Sequence, residues 1–103
     1  MKIRVADYIA RILFEYGVRH VFSVIGGGAM YLNDAFGNDP GLKVIYNHHE
    51  QASAIAAESY ARVNGGPAAV CVTTGPGGTN AITGVLCAWQ DNIPMIVISG
   101  QVR

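Results

Sequence analysis

The hydrophobic pattern of this chain changes period repeatedly, from helical to extended and back. In residues 5–16 the apolar positions Val5, Ile9, Ile12, Leu13 and Tyr16 keep helical spacing, and Gly17 supplies a stop. Residues 18–25 read as a buried strand running into Gly26, Gly27 and Gly28. The pattern then predicts a short helix over 29–36, a turn at 38–41, a strand over 43–46 and an alanine-rich helix from Glu50 to about Val63. A second turn, 64–67, leads to a strand over 68–74 that is nearly continuous in apolar residues, as expected when both faces are covered. The glycine-rich turn 75–80 opens a helix reaching about Trp89, and residues 95–99 form a last strand. Helices and strands alternating through short connections imply an α/β fold built on a parallel sheet with right-handed crossovers.

The 103 residues make at most one domain, and 50% of them are hydrophobic, enough for a core. Only 14% are charged, where a free-standing domain carries nearer a quarter. Another domain or subunit is therefore expected to cover part of the surface. Net charge is zero, with no basic stripe for nucleic acid and no polybasic segment for a membrane surface. Apolar runs such as 95–98 are too short to span a bilayer, and Asp7 makes the N-terminus unlike a signal peptide, so a cytoplasmic location is expected. Cys71 and Cys87 fall in a strand and a helix without CxxC spacing, which predicts free, buried thiols. The chain stops soon after a strand with no closing helix, and reads as a piece of a longer protein.

Three strand-to-helix junctions reach the same rim, at the carboxyl ends of the strands, where ligands bind in open α/β sheets. One carries Gly26, Gly27 and Gly28, more glycines than a loop needs, which favours close approach of a ligand or neighbouring subunit. Another, "TTGPGGTN" (73–80), lacks the P-loop lysine and departs from G-x-G-x-x-G at Asn80. It serves equally as a ligand-facing loop or as a tight turn that needs glycine for geometry. At the third, Glu50 opens the alanine-rich helix, where the helix dipole alone favours a carboxylate. His48 and His49 beside it are adjacent on a strand end and point to different sides, which disfavours a metal site. Glu58 and Arg62, at i and i+4, are expected to form a solvated pair.

Together these segments resemble the N-terminal, pyrimidine-binding domain of thiamine diphosphate-dependent enzymes of the acetolactate synthase and pyruvate oxidase type. "HVFSVIGGGAM" (20–30) is similar to that family's V-F-G-x-P-G-G-A strand and turn, and "HHEQASAIAAESYAR" (48–62) to its H-E-x-A-x-x-x-A-A-x-G-Y-A-R helix. "VTTGPGGTNAITGVLCAWQDNIPMIVISGQ" (72–101) follows its T-x-G-P-G-x-T-N…D-x-x-P pattern almost position by position. The chain departs from the pattern at Ser23, Ile25 and Ser59, where glycine, proline and glycine are usual. Those departures suggest a divergent relative using another 2-oxoacid or acceptor.

The resemblance implies a three-layer α/β/α fold, incomplete within these residues. It also implies thiamine diphosphate as cofactor and a 2-oxoacid decarboxylase or carboligase activity, with a homodimer or homotetramer closing the site. Glu50 would be the catalytic residue, bonding the aminopyrimidine and promoting the imino tautomer from which the ylid forms. Burial at a subunit interface must then offset the helix dipole that favours its charged form. Gly26, Gly27, Thr74, Pro76, Gly77 and Asn80 would line the pyrimidine pocket with it. The family holds diphosphate through Mg²⁺ on a G-D-G…N segment of another domain, and no such segment occurs here, so this chain alone is expected to be inactive. Whether flavin is bound is left open. Two other readings are a small subunit of a split 2-oxoacid decarboxylase and a non-catalytic doubly wound nucleotide-binding module, in which Glu50 would hold a ribose.

Overall fold

The computed structural model describes residues 2–102, leaving Met1 and Arg103 outside. Helix α1 (Val5–Glu15) leads to strand β1 (His20–Ser23), and a 3₁₀ turn (Gly27–Ala29) leads directly into α2 (Met30–Asn38). Strand β2 (Lys43–Tyr46), helix α3 (Glu50–Asn64) and strand β3 (Ala68–Val72) follow, then α4 (Pro76–Asn80), α5 (Ile82–Gln90) and β4 (Met95–Ser99). All four strands are parallel, in the order β2-β1-β3-β4. β1 and β3 are the inner pair, and all five residues of β3 are buried. That accounts for the unbroken apolar run in the sequence.

Two cores separate the layers. On one face Ala6, Ala10 and Leu13 of α1 and Ala35 and Phe36 of α2 pack against Val21, Ala69 and Cys71. On the other, Ala54, Ala57 and Ala61 of α3 and Ala81 beside α5 pack against Phe22, Val70 and Val72. Both faces of the sheet are covered, giving the three-layer α/β/α fold. Small residues on α3 let backbone approach backbone. A Cβ at Gly84 of α5 would lie 2.8 Å from the Ala54 carbonyl carbon and the Ile55 nitrogen, so only glycine fits that crossing.

Element boundaries differ from the sequence reading for identifiable reasons. β1 begins at His20 rather than Val18, because the Val18 N–H closes the end of α1 on the Leu13 carbonyl at 3.0 Å. The Gly17 N–H bonds the Phe14 carbonyl at 3.0 Å with φ at +96°, which completes a Schellman stop. Segment 75–80 is not a loop. Most of it forms the single turn α4, separated from α5 by Ala81. Nor is Glu58 solvated: it is buried on α3, which packs against α5, while Arg62 bonds Glu58 and reaches Asp91 at 2.6 Å. The pair ties the end of α3 to the end of α5. Cys71 is buried as expected, whereas Cys87 is only half-buried, and both are free. Among the described residues no helix is long and apolar enough to cross a membrane.

Candidate functional site

With strand order β2-β1-β3-β4, the chain leaves β1 toward one edge and returns on its other side as β3. The crevice beyond the carboxyl ends of these two strands is the switch point of the sheet. The triple-glycine turn leaves β1 there, and the Thr73–Gly75 turn leaves β3.

Thr73 joins the two turns. Its Oγ1 accepts the Gly28 N–H at 3.1 Å. A Cβ on Gly26 would collide with the Thr73 side chain, and one on Gly77 would come within 2.9 Å of its Cγ2. Gly26 and Gly77 are therefore required as glycines by the chain packing on itself at Thr73, which for Gly77 is the geometric role that the sequence left open beside a ligand-facing one. Gly27 differs, since a Cβ there would meet nothing within 4 Å. Gly75 is equally open and holds φ at +63°, a conformation side chains rarely adopt. Gly28 is pinned from its other side by the Gln101 N–H at 3.0 Å.

At the end of β2 the Asn47 N–H bonds the Ser23 carbonyl at 2.8 Å, and the Ser53 hydroxyl donates to Asn47 Oδ1 at 2.9 Å. This fixes the first turn of α3 to the strand ends. His49 is the N-cap, its Nδ1 accepting the Gln51 N–H at 3.1 Å. The next residue, Glu50, is buried, and its Oε1 accepts a hydrogen bond from Asn80 Nδ2 at 3.0 Å. Asn80 ends α4, and Gly77 near the start of α4 lies under Thr73. Five residues of helix thus link the glycine turns to the carboxylate. Thr74 and Pro76 lie on the same segment, Thr74 half-buried and Pro76 exposed at the head of α4.

The structure brings Gly26, Gly77 and Thr73 into contact and couples Glu50 to Asn80. His48 and His49 belong to no metal-holding group; among the described residues no three His, Cys, Asp or Glu side chains cluster closely enough. A dinucleotide site would use an acid closing the second strand, whereas Glu50 heads the next helix and turns toward α4.

Sequence reasoning missed Asn33 and the contacts made by Thr73 and Ser23. Ser23 donates to Asn33 Oδ1 at 2.6 Å, and Asn33 Nδ2 donates to the Ala29 carbonyl at 3.1 Å, all of it buried. Ser23 and Asn33 were visible as polar residues in otherwise core-facing stretches, but nothing in the sequence paired them.

Comparison with known proteins identifies the family. The family model described as thiamine pyrophosphate enzyme, N-terminal TPP binding domain, matches residues 3–103. The chain is 44% identical over 97 residues to the acetolactate synthase large subunit of Buchnera aphidicola, covering 94% of this chain and 17% of that protein. It is 42% identical to the acetolactate synthase isozyme 3 large subunit of Escherichia coli, again over 94% of this chain and 17% of the relative. Against the chloroplastic acetolactate synthase of Arabidopsis thaliana it is 37% identical, covering 94% of this chain and 14% of the relative. The chain thus spans about a sixth of the length of these relatives. With the match running along nearly all of its length, this chain belongs to the thiamine pyrophosphate enzyme family, as N-terminal TPP-binding domain sequence.

Proposed function

We propose that this chain forms the pyrimidine-binding half of the active site of a thiamine diphosphate-dependent 2-oxoacid decarboxylase or carboligase of acetolactate synthase type. One observation carries the reading: Glu50 is a buried carboxylate, bonded by Asn80, at the rim where the two switch-point turns meet. The residues present fit a flat heteroaromatic ring. A Cβ at Gly27 or Gly75 would meet no other atom within 4 Å, and the Glu50 carboxyl group is bonded to Asn80 at the end of the helix that Gly75 precedes.

In this reading Gly27 and Thr74 offer backbone to the ring, and Pro76 closes its edge. Gly26 and Gly77 act one step behind, by letting Thr73 lock the two turns together. Thiamine diphosphate, when bound, would supply a thiazolium carbon that becomes a nucleophile on losing its proton and a ring that can take the electron pair released when carbon dioxide leaves. Glu50 contributes the proton movement at the pyrimidine. Mg²⁺ and the diphosphate are assigned to another domain, so the chain alone turns over no 2-oxoacid.

A homodimer or homotetramer would complete the site. Support comes from exposed apolar side chains on α3 and α5, among them Ile55, Ile82, Leu86 and Trp89, together with the low charge. A cytoplasmic enzyme is also proposed; no helix among the described residues is long and apolar enough to cross a membrane. The test is calorimetric titration of the full-length protein with thiamine diphosphate and Mg²⁺, followed by carbon dioxide release from pyruvate and longer 2-oxoacids. Saturable binding with decarboxylation of one of them is expected, and absence of cofactor binding would overturn the reading.

A further inference from the structure

We infer that Asn80 is a positioning residue for Glu50 rather than a contact for the cofactor, and that it makes Oε2 the carboxyl oxygen that handles the proton. The inference rests on the function proposed above.

A carboxyl group has two chemically equivalent oxygens, and a general acid–base residue works only if the correct one faces the reacting group. Asn80 removes the equivalence. Its Nδ2, a donor, sits 3.0 Å from Oε1. An N–H directed at Oε1 stabilises negative charge there and opposes protonation of the same atom. Oε2 accepts no hydrogen bond among the described residues, so it is the oxygen left to take up and release a proton.

Asn80 is itself held in place. It is the last residue of α4, whose first turn is fixed by the positive φ of Gly75 and by Gly77 packed under Thr73. The Thr79 hydroxyl donates to the Pro76 carbonyl at 3.2 Å within the same turn. Thr73 in turn bonds the Gly28 N–H. The carboxylate is therefore oriented from the framework that also sets the glycine turns, so the acid and the turns are held by one set of contacts. One N–H of the Asn80 amide is directed at Glu50 from a residue fixed by its own helix, and that bond is what we assign to orientation of the carboxylate.

The test uses the full-length protein with thiamine diphosphate and Mg²⁺. Exchange of the thiazolium proton is followed by NMR in deuterated buffer at saturating cofactor, and cofactor affinity is measured separately by calorimetry. Asn80→Ala should slow exchange by about ten- to a hundredfold, the range for losing a hydrogen bond to a charged group. Its dissociation constant should stay within about threefold of wild type. Asn80→Asp, which cannot donate and sets a second charge against Glu50, should slow exchange at least as much. A crystal structure of Asn80→Ala without cofactor should show the Glu50 carboxylate turned from its present orientation. Wild-type exchange in Asn80→Ala overturns the inference, and so does a tenfold loss of affinity with normal exchange at saturation, which would make Asn80 a cofactor contact. If the wild-type protein itself neither binds thiamine diphosphate nor speeds exchange over free cofactor, the proposed function fails and the inference falls with it.

Discussion

The Ser23 hydroxyl donates to Asn33 Oδ1 at 2.6 Å, deep between the end of β1 and α2. The Cys71 carbonyl stands near the same hydroxyl at 3.3 Å, and Asn33 passes its own amide to the Ala29 carbonyl at 3.1 Å. Ser23 is a position where the family pattern carries glycine. Here the added hydroxyl has a dedicated partner, so the departure is accommodated by a second polar residue ten positions on. Between them the two residues tie the strand end to the 3₁₀ turn that carries Gly27 and Gly28.

Ser23→Ala should therefore destabilise the fold by about 1–3 kcal/mol, the cost of leaving a buried acceptor unsatisfied. Chemical denaturation of wild type and variant measures it. A difference below about 0.5 kcal/mol, typical of surface substitutions, would show that the bond contributes little.

Gly26 and Gly27 are neighbours with opposite expected behaviour. Gly26→Ala drives a methyl into Thr73, whose β-branched side chain has little freedom to move, and should cost about 1–3 kcal/mol. Gly27→Ala meets nothing within 4 Å and should leave stability within about 0.5 kcal/mol of wild type. If the pyrimidine lies over Gly27, the same substitution should weaken thiamine diphosphate binding in the full-length protein. Unchanged affinity in Gly27→Ala would move the ring elsewhere.

Glu50→Gln keeps the size of the side chain but removes the group able to give and take a proton. In the full-length protein at saturating cofactor, exchange of the thiazolium proton should fall by ~10²–10⁴-fold. Stability should change little or rise slightly, because a carboxyl group is costly to bury. Exchange as fast as wild type would reduce Glu50 to an acid placed to suit the start of α3.

Burial pushes the Cys71 thiol up to about 11 from 9.0, against a smaller opposing pull from the Ser23 hydroxyl. The unfolded chain gives up this proton first, so the contribution to stability is fully present below pH 9.0 and is lost as pH rises through about 11. Wild type should accordingly lose more stability than Cys71→Ala between those limits, measured by denaturant unfolding at each pH. Iodoacetamide at pH 8 should label half-buried Cys87 in the folded protein well before Cys71, and both once the chain is denatured without reductant. Equal labelling rates in the folded state would contradict the burial argument.

The sequence alone determined the succession of helices and strands, the parallel sheet and the family. These follow from local periodicity, from glycine at strand ends and from motifs contiguous in the chain. β2 and β4 were delimited residue for residue, because turn signals bracket each run. It also singled out Glu50 and the two glycine turns as one rim. Only the tertiary structure decided what each residue does there. Gly26 answers to Thr73, Glu58 is buried, Ser23 is matched by Asn33 and Glu50 by Asn80. The physical reason is separation along the chain. Gly26 and Thr73 lie 47 positions apart, and Glu50 and Asn80 thirty. No local pattern records which side chains meet once the sheet sets β1 beside β3 and folds α4 against the start of α3.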